Sequence, residues 1–203
     1  MVTARYKSFF TPFLHPLARR LSRWGVSPSA VTLTGLLLVF VSCFFVLWTK
    51  RLLAFCGLVT VSVLCDALDG AVARVSGRVT KFGAYLDAVC DRYAEAAMLL
   101  SVAAVTGYWA LSIVVIVGAL LTSYAKARAA MEVRISNEEW PDVMERTERF
   151  LLFVVGLAAS QLIPWRPGGR DLYWWALLVL AVLTHATVIQ RIMRARRLIR
   201  LRS

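Results

Sequence analysis

Acidic side chains are scarce in this sequence: Asp and Glu together number 12 against 24 Lys and Arg, and charged residues of both signs make up only 18% of the chain. With 59% hydrophobic residues and a mean hydropathy of +0.66, an ordinary soluble domain is excluded. Histidine is limited to His15 and His185, and the four cysteines, Cys43, Cys56, Cys65 and Cys90, stand in apolar runs without CxxC spacing. That pattern argues against a zinc site or a disulfide framework and leaves the cysteines as small packing residues. Internal repeats and low-complexity tracts are absent as well. Residues 1–25 hold no uninterrupted apolar core ahead of a small-residue cleavage site, so no removable signal peptide is expected.

What remains is a set of long apolar runs, each near the roughly 20 residues a helix needs to cross a bilayer. Breaks at charged and Gly/Pro clusters predict transmembrane helices near 30–49, 52–75, 83–106, 108–130, 148–164 and 172–190. The expected fold is therefore all-α: an integral membrane protein of six transmembrane helices in one domain, residues 1–203. Residues 11–24 place Leu14, Leu17, Ala18 and Leu21 on one face, which predicts an N-terminal amphipathic helix lying in the interface. Residues 30–190 form the bundle and 191–203 a basic tail.

The net charge of +12 would suggest nucleic acid for a soluble chain, but here the charges follow the loops. Arg19, Arg20 and Arg23 precede the first span, Arg74, Arg78 and Lys81 follow the second, Lys126, Arg128, Arg146 and Arg149 follow the fourth, and six arginines follow the sixth. By the positive-inside rule both termini and these loops are expected on the cytoplasmic side of the plasma membrane, with no nucleic-acid partner. Trp24, Trp48, Trp109, Trp165, Trp174 and Trp175 fall near span ends, as interfacial anchors do. His185 is expected to hydrogen-bond between helices.

Against this apolar background the segment CDALDGAVARVSGRVTKFGAYLDAVCD places Asp66, Asp69, Asp87 and Asp91 within or at the edge of the second and third spans. Intramembrane acids are costly and point to function. Asp66 and Asp69 are three apart and Asp87 and Asp91 four apart, so each pair shares a helix face. The short turn between the two helices predicts antiparallel neighbours with the pairs facing. Four carboxylates in a partly dehydrated pocket repel one another unless cations neutralise them. Oxygen ligands alone select Mg²⁺ or Mn²⁺, with Ca²⁺ allowed by ligand type. Gly70 and Gly83 offer close approach to the backbone, Ala73 extends that small surface, and Arg74 is suited to gripping a phosphate. The competing readings are structural ion pairs, such as Asp91 with Arg92, and an ion-transport pathway.

The spacing Asp66-x-x-Asp69-Gly70-x-x-Ala73-Arg74, eight residues, then Gly83-x-x-x-Asp87-x-x-x-Asp91 resembles the signature of the CDP-alcohol phosphotransferases at every defining position. The resemblance implies a six-helix homodimer in which the four aspartates hold a pair of Mg²⁺ or Mn²⁺ ions and Asp91 is the general base. It further implies that Gly70, Ala73, Arg74, Thr80 and Gly83 contact a CDP-linked lipid, CDP-diacylglycerol or CDP-archaeol, and that Ser29, Ala30, Val31 and Thr32 close over its CDP group. Thr80 also reads as an ordinary turn residue. Pro28-Ser29 departs from the Pro-Asn or Pro-Asp of many relatives.

Beyond the signature, Lys126, Arg149 and Arg191 resemble the acceptor-phosphate residues of the inositol-phosphate-using branch. That implies transfer to an anionic polyol, inositol 1-phosphate, with release of CMP. Several converging cations suit a dianionic acceptor. Glycerol 3-phosphate is the alternative acceptor, since the same cations would bind it.

Overall fold

The computed structural model describes residues 16–133 and 144–202, without the side chains of 65–67 and 202. Predictions for residues 11–15, including Leu14, and for the side chains of Cys65, Asp66 and Arg202 therefore fall outside the described residues.

Six long helices follow in order: α1 Pro28–Thr49, α2 Leu52–Ser76, α3 Lys81–Thr106, α4 Trp109–Glu132, α5 Arg146–Leu162 and α6 Leu172–Arg202, with no strand among the described residues. Ahead of α1, residues 16–23 are also helical. By length and apolarity α1, α2, α4 and α6 qualify as membrane spans. The other two differ for physical reasons. α3 carries Lys81, Asp87, Asp91, Arg92 and Glu95, while α5 has only 17 residues, about 25 Å at 1.5 Å per residue.

The helix ends are written in local chemistry. Ser27 caps α1, its Oγ accepting from Ala30 N–H at 3.2 Å, and Pro28 occupies the first turn where no amide partner is needed. Lys50, in the left-handed region at φ 58°, ends α1, and Gly77 at φ 66° ends α2, where the Arg78 amide donates to the Ala73 carbonyl at 3.0 Å. Glu145 and Glu148 form a reciprocal capping box on α5.

The chain folds as two compact units, Met1–Thr106 and Gly107–Ser203. In the first, α1 is central: both α2 and α3 pack on it, through a face that includes Val31, Thr32, Gly35, Val39, Ser42, Cys43 and Val46. Among the described residues the close packing of both α2 and α3 is on α1. The small side chains on that face of α1 let both helices approach it. Ala18 is buried with Val31, Leu68, Ala71 and Val72, and Leu21 packs beside them. The N-terminal helical residues thus lean on the stretch of α2 that carries Asp69 and Gly70. Leu17, expected on the same apolar face, is about half exposed instead.

In the second unit α6 packs against both α4 and α5. Its buried stripe Tyr173, Ala176, Leu177, Leu180, Ala181, Thr184 and Thr187 recurs at helical spacing. His185 Nε2 lies 3.1 Å from the Val114 carbonyl of α4, the interhelical bond expected of it. Asp171 caps α6 through the Trp174 amide at 2.9 Å and accepts from the Tyr108 hydroxyl at 2.8 Å, tying the start of α4 to the start of α6. Glycine permits the close approach of the helices: a Cβ on Gly156 would stand 2.3 Å from the Ala176 Cβ, and one on Gly118 2.5 Å from Thr184 Oγ1. Gly156→Ala should therefore lower stability by about 1–3 kcal/mol, the usual cost of overpacking. Thermal unfolding in detergent checks this, and Ala176→Gly in the same chain should recover most of the loss.

The largest departure from the predicted elements is α6. It runs to Arg202 rather than ending at residue 190, so the basic segment after Gln190 continues the helix.

Candidate active site

In the first unit, three of the four signature aspartates have described side chains. Asp69 on α2 and Asp91 on α3 are each only 9% exposed, and Asp87 on α3 is half-buried. Asp66 lies on α2, one turn before Asp69. Among the described residues no group of three carboxylate, imidazole or thiol side chains is placed to hold an ion, and Asp66 is not among those side chains. What is described fits a hard divalent cation in kind: oxygen donors only, two of them nearly removed from water, where negative charge calls for a counter-cation.

Asp91 also has a neighbouring cation, Arg92, at 3.6 Å, and Arg92 reaches Glu95 at 3.5 Å. The ion pair foreseen as a structural alternative is therefore present. Asp69, on another helix, has its own partner in the Thr32 hydroxyl on α1, at 2.5 Å from Asp69 Oδ2.

The residues expected around a nucleotide fall into distinct local roles. Ser29, Ala30, Val31 and Thr32 form the opening turns of α1 directly after the Ser27 cap, with Val31 and Thr32 buried and Ala30 exposed. The Arg74 side chain is exposed and lies across Gly70, its Nη1 3.3 Å from where a Cβ on that glycine would be. Gly70 thus gives the guanidinium a path along the helix surface, beside half-buried Ala73. Thr80 stands immediately before α3, and its Oγ1 accepts from the Gly83 amide at 2.9 Å, a helix-capping bond. A Cβ on Gly83 would approach that same oxygen to 3.0 Å. Thr80 is hence a turn residue in its accepted bond, with its O–H proton still able to donate.

In the second unit, Lys126, Arg149 and Arg191 come from α4, α5 and α6. Arg149 is 4% exposed and Arg191 6%, unusual for a residue type that is almost never fully buried. Arg149 Nη1 donates to the Met144 carbonyl at 3.4 Å, and Arg191 Nη1 donates to the Thr122 carbonyl. A backbone carbonyl thus helps to orient each guanidinium. Lys126 is half-buried, and Arg128, half a turn along, pairs with Glu132 at 2.6 Å across one helical turn.

A chain of long apolar helices with paired aspartates on two of them, an arginine between the pairs and two glycines at fixed spacing defines a class. Residues 25–187 match the family model described as CDP-alcohol phosphatidyltransferase, and the chain belongs to that family. It is a membrane transferase of phospholipid synthesis. Its relatives narrow the comparison. It is 34% identical over 193 residues to the phosphatidylinositol phosphate synthase of Mycobacteroides abscessus, covering 90% of this chain and 83% of that one. It is 29% identical over 188 residues to the archaetidylinositol phosphate synthase of Pyrococcus horikoshii, with 91% of each covered. The crystal structure of the phosphatidylinositol phosphate synthase of Mycobacterium tuberculosis with CDP-DAG bound superposes with a TM-score of 0.77 at 29% identity, over 90% of this chain and 92% of that one. The same enzyme with manganese and citrate gives 0.78 at 29% identity, over 90% and 88%.

Proposed function

We propose that this chain transfers a phosphatidyl-type group from a CDP-linked lipid to inositol 1-phosphate, releasing CMP and using Mg²⁺ or Mn²⁺. The observation that carries the acceptor assignment is the burial of two arginines, Arg149 and Arg191, on helices packed together and accompanied by Lys126. Desolvated positive charge of this kind suits a dianionic phosphate and has little use for serine, choline or ethanolamine. The relatives named as inositol-phosphate synthases support the same choice.

Asp66, Asp69, Asp87 and Asp91 would hold the divalent ions. Bound there, such ions supply charge neutralisation and electrophilic assistance at the phosphorus under attack. The residues of the chain do the rest. Arg74 grips the diphosphate of the CDP-lipid, with Gly70, Ala73 and Gly83 keeping the helix surface low enough for it to settle. Ser29, Ala30 and Val31 lie against the nucleotide, and Thr80 offers its hydroxyl proton to it. Lys126, Arg149 and Arg191 bind the acceptor's phosphate and so orient its hydroxyl. Asp91 takes the proton from that hydroxyl as the new oxygen–phosphorus bond forms; the bond to CMP breaks, and CMP leaves with the electron pair. All six helices span the membrane, the N-terminal helix lies at the interface, and the termini and the site face the cytoplasm. The working form is a homodimer.

The test is direct. Purified chain with CDP-diacylglycerol and Mg²⁺ or Mn²⁺ should release CMP when given inositol 1-phosphate and not when given free inositol or serine. Release driven better by glycerol 3-phosphate would move the assignment to phosphatidylglycerophosphate synthesis. No release with any acceptor would refute the reading. CDP-archaeol in place of CDP-diacylglycerol identifies the lipid.

A further inference from the structure

Threonines inside the helices of this protein have a common habit. Thr34, Thr49, Thr60, Thr106, Thr122, Thr184 and Thr187 each donate their hydroxyl proton to the carbonyl four residues back, at 2.7–2.9 Å. That bond is the default resting place of a threonine in an apolar helix. Thr32 departs from it: the Pro28 carbonyl lies farther off, at 3.2 Å, while Asp69 Oδ2 on the neighbouring helix is 2.5 Å away. A hydroxyl has one proton to give. The shorter contact, to an ionisable oxygen, takes it, since hydrogen bonds to charged acceptors are the shorter and stronger kind.

The surroundings make this bond consequential. Thr32 is 4% exposed, so water does not compete for either partner. The opening turns of α1 are held by the Ser27 cap and by Pro28, which fixes where the hydroxyl stands. Its target is a signature aspartate. Thr32 meets it with a neutral donor, and a hydroxyl orients a carboxylate without adding a charge of its own.

We infer that Thr32 is a positioning residue: by donating to Asp69 Oδ2 it fixes the orientation in which that carboxylate meets a divalent cation. This inference rests on the metal role of the aspartates given above, and it removes Thr32 from the residues that touch the nucleotide. Partners behind a metal ligand typically set metal affinity by about 10- to 100-fold.

The test uses the full-length protein in detergent without CDP-lipid, with free Mn²⁺ read by electron paramagnetic resonance during titration. Thr32→Val keeps the shape and removes the proton, and Thr32→Ser keeps the proton. Thr32→Val should weaken Mn²⁺ binding by about tenfold or more, whereas Thr32→Ser should stay near the parent. At saturating Mn²⁺ the KM for CDP-lipid should be the same in all three proteins. Unchanged Mn²⁺ affinity in Thr32→Val, or equal loss in Thr32→Ser, overturns the inference. So does a raised CDP-lipid KM with normal Mn²⁺ binding, which would return Thr32 to the nucleotide. A parent protein that binds no Mn²⁺ refutes the metal reading beneath it, a result distinct from a parent that binds and a valine variant that binds equally.

Discussion

Asp91→Asn should reduce CMP release from CDP-diacylglycerol by a factor of about 10³ or more, within the range that loss of a positioned general base produces, while the protein remains folded. Asparagine matches aspartate in shape, so the nearly buried pocket around residue 91 stays filled. It cannot take up the acceptor's proton, and it is a poorer partner for a hard cation. Arg92 is not stranded by the change, because it also reaches Glu95. Unfolding temperature should therefore move little, and a calorimetric or tryptophan-fluorescence transition close to the parent's is the check. Full activity in the Asp91→Asn protein would exclude Asp91 as the base.

The second large effect concerns the acceptor. Removing one charge from a buried phosphate site typically costs about 2–5 kcal/mol, or roughly 30-fold to several thousand-fold in affinity. Lys126→Ala and Arg191→Ala should accordingly raise the apparent KM for inositol 1-phosphate by at least about tenfold, and leave the KM for CDP-lipid within about twofold, if only the acceptor loses a contact. Arg191→Ala also removes the donor to the Thr122 carbonyl between α6 and α4, so some loss of stability should accompany it. Lys126, half-buried near the end of α4, is the cleaner probe. Acceptor kinetics unchanged in both variants would refute the site.

Much of the helical framework was legible in the residues. α1 to α5 begin and end within two residues of expectation, because apolar runs stop where Gly, Pro or charge makes continuation costly. α6 broke the rule for a simple reason. Residues 190–202 contain neither Gly nor Pro and are built mostly from Arg, Leu, Ile, Met and Ala, good or acceptable helix formers, so the change from apolar to basic does not end the helix.

The site was legible at the level of spacing and less so at the level of contact. Thr80 was legible as a turn residue, and its bond to the Gly83 amide gives that reading its local form. The bond from Thr32 to Asp69 joins residues 37 apart in the chain, and no local pattern announces it. The packing of α2 and α3 on α1 was hidden for the same reason: a short turn constrains two helix ends, while the choice of neighbour along their length depends on side chains that meet only in the folded unit.

The continuity of α6 also bears on how the protein is handled. Cutting the chain back to Gln190 to discard a seemingly dispensable basic end would sever an unbroken helix one residue ahead of Arg191, removing a residue proposed to hold the acceptor and leaving new unsatisfied carbonyls at the cut. Purification tags belong beyond residue 203, and a shortened variant that loses activity would report a damaged binding site rather than a regulatory extension.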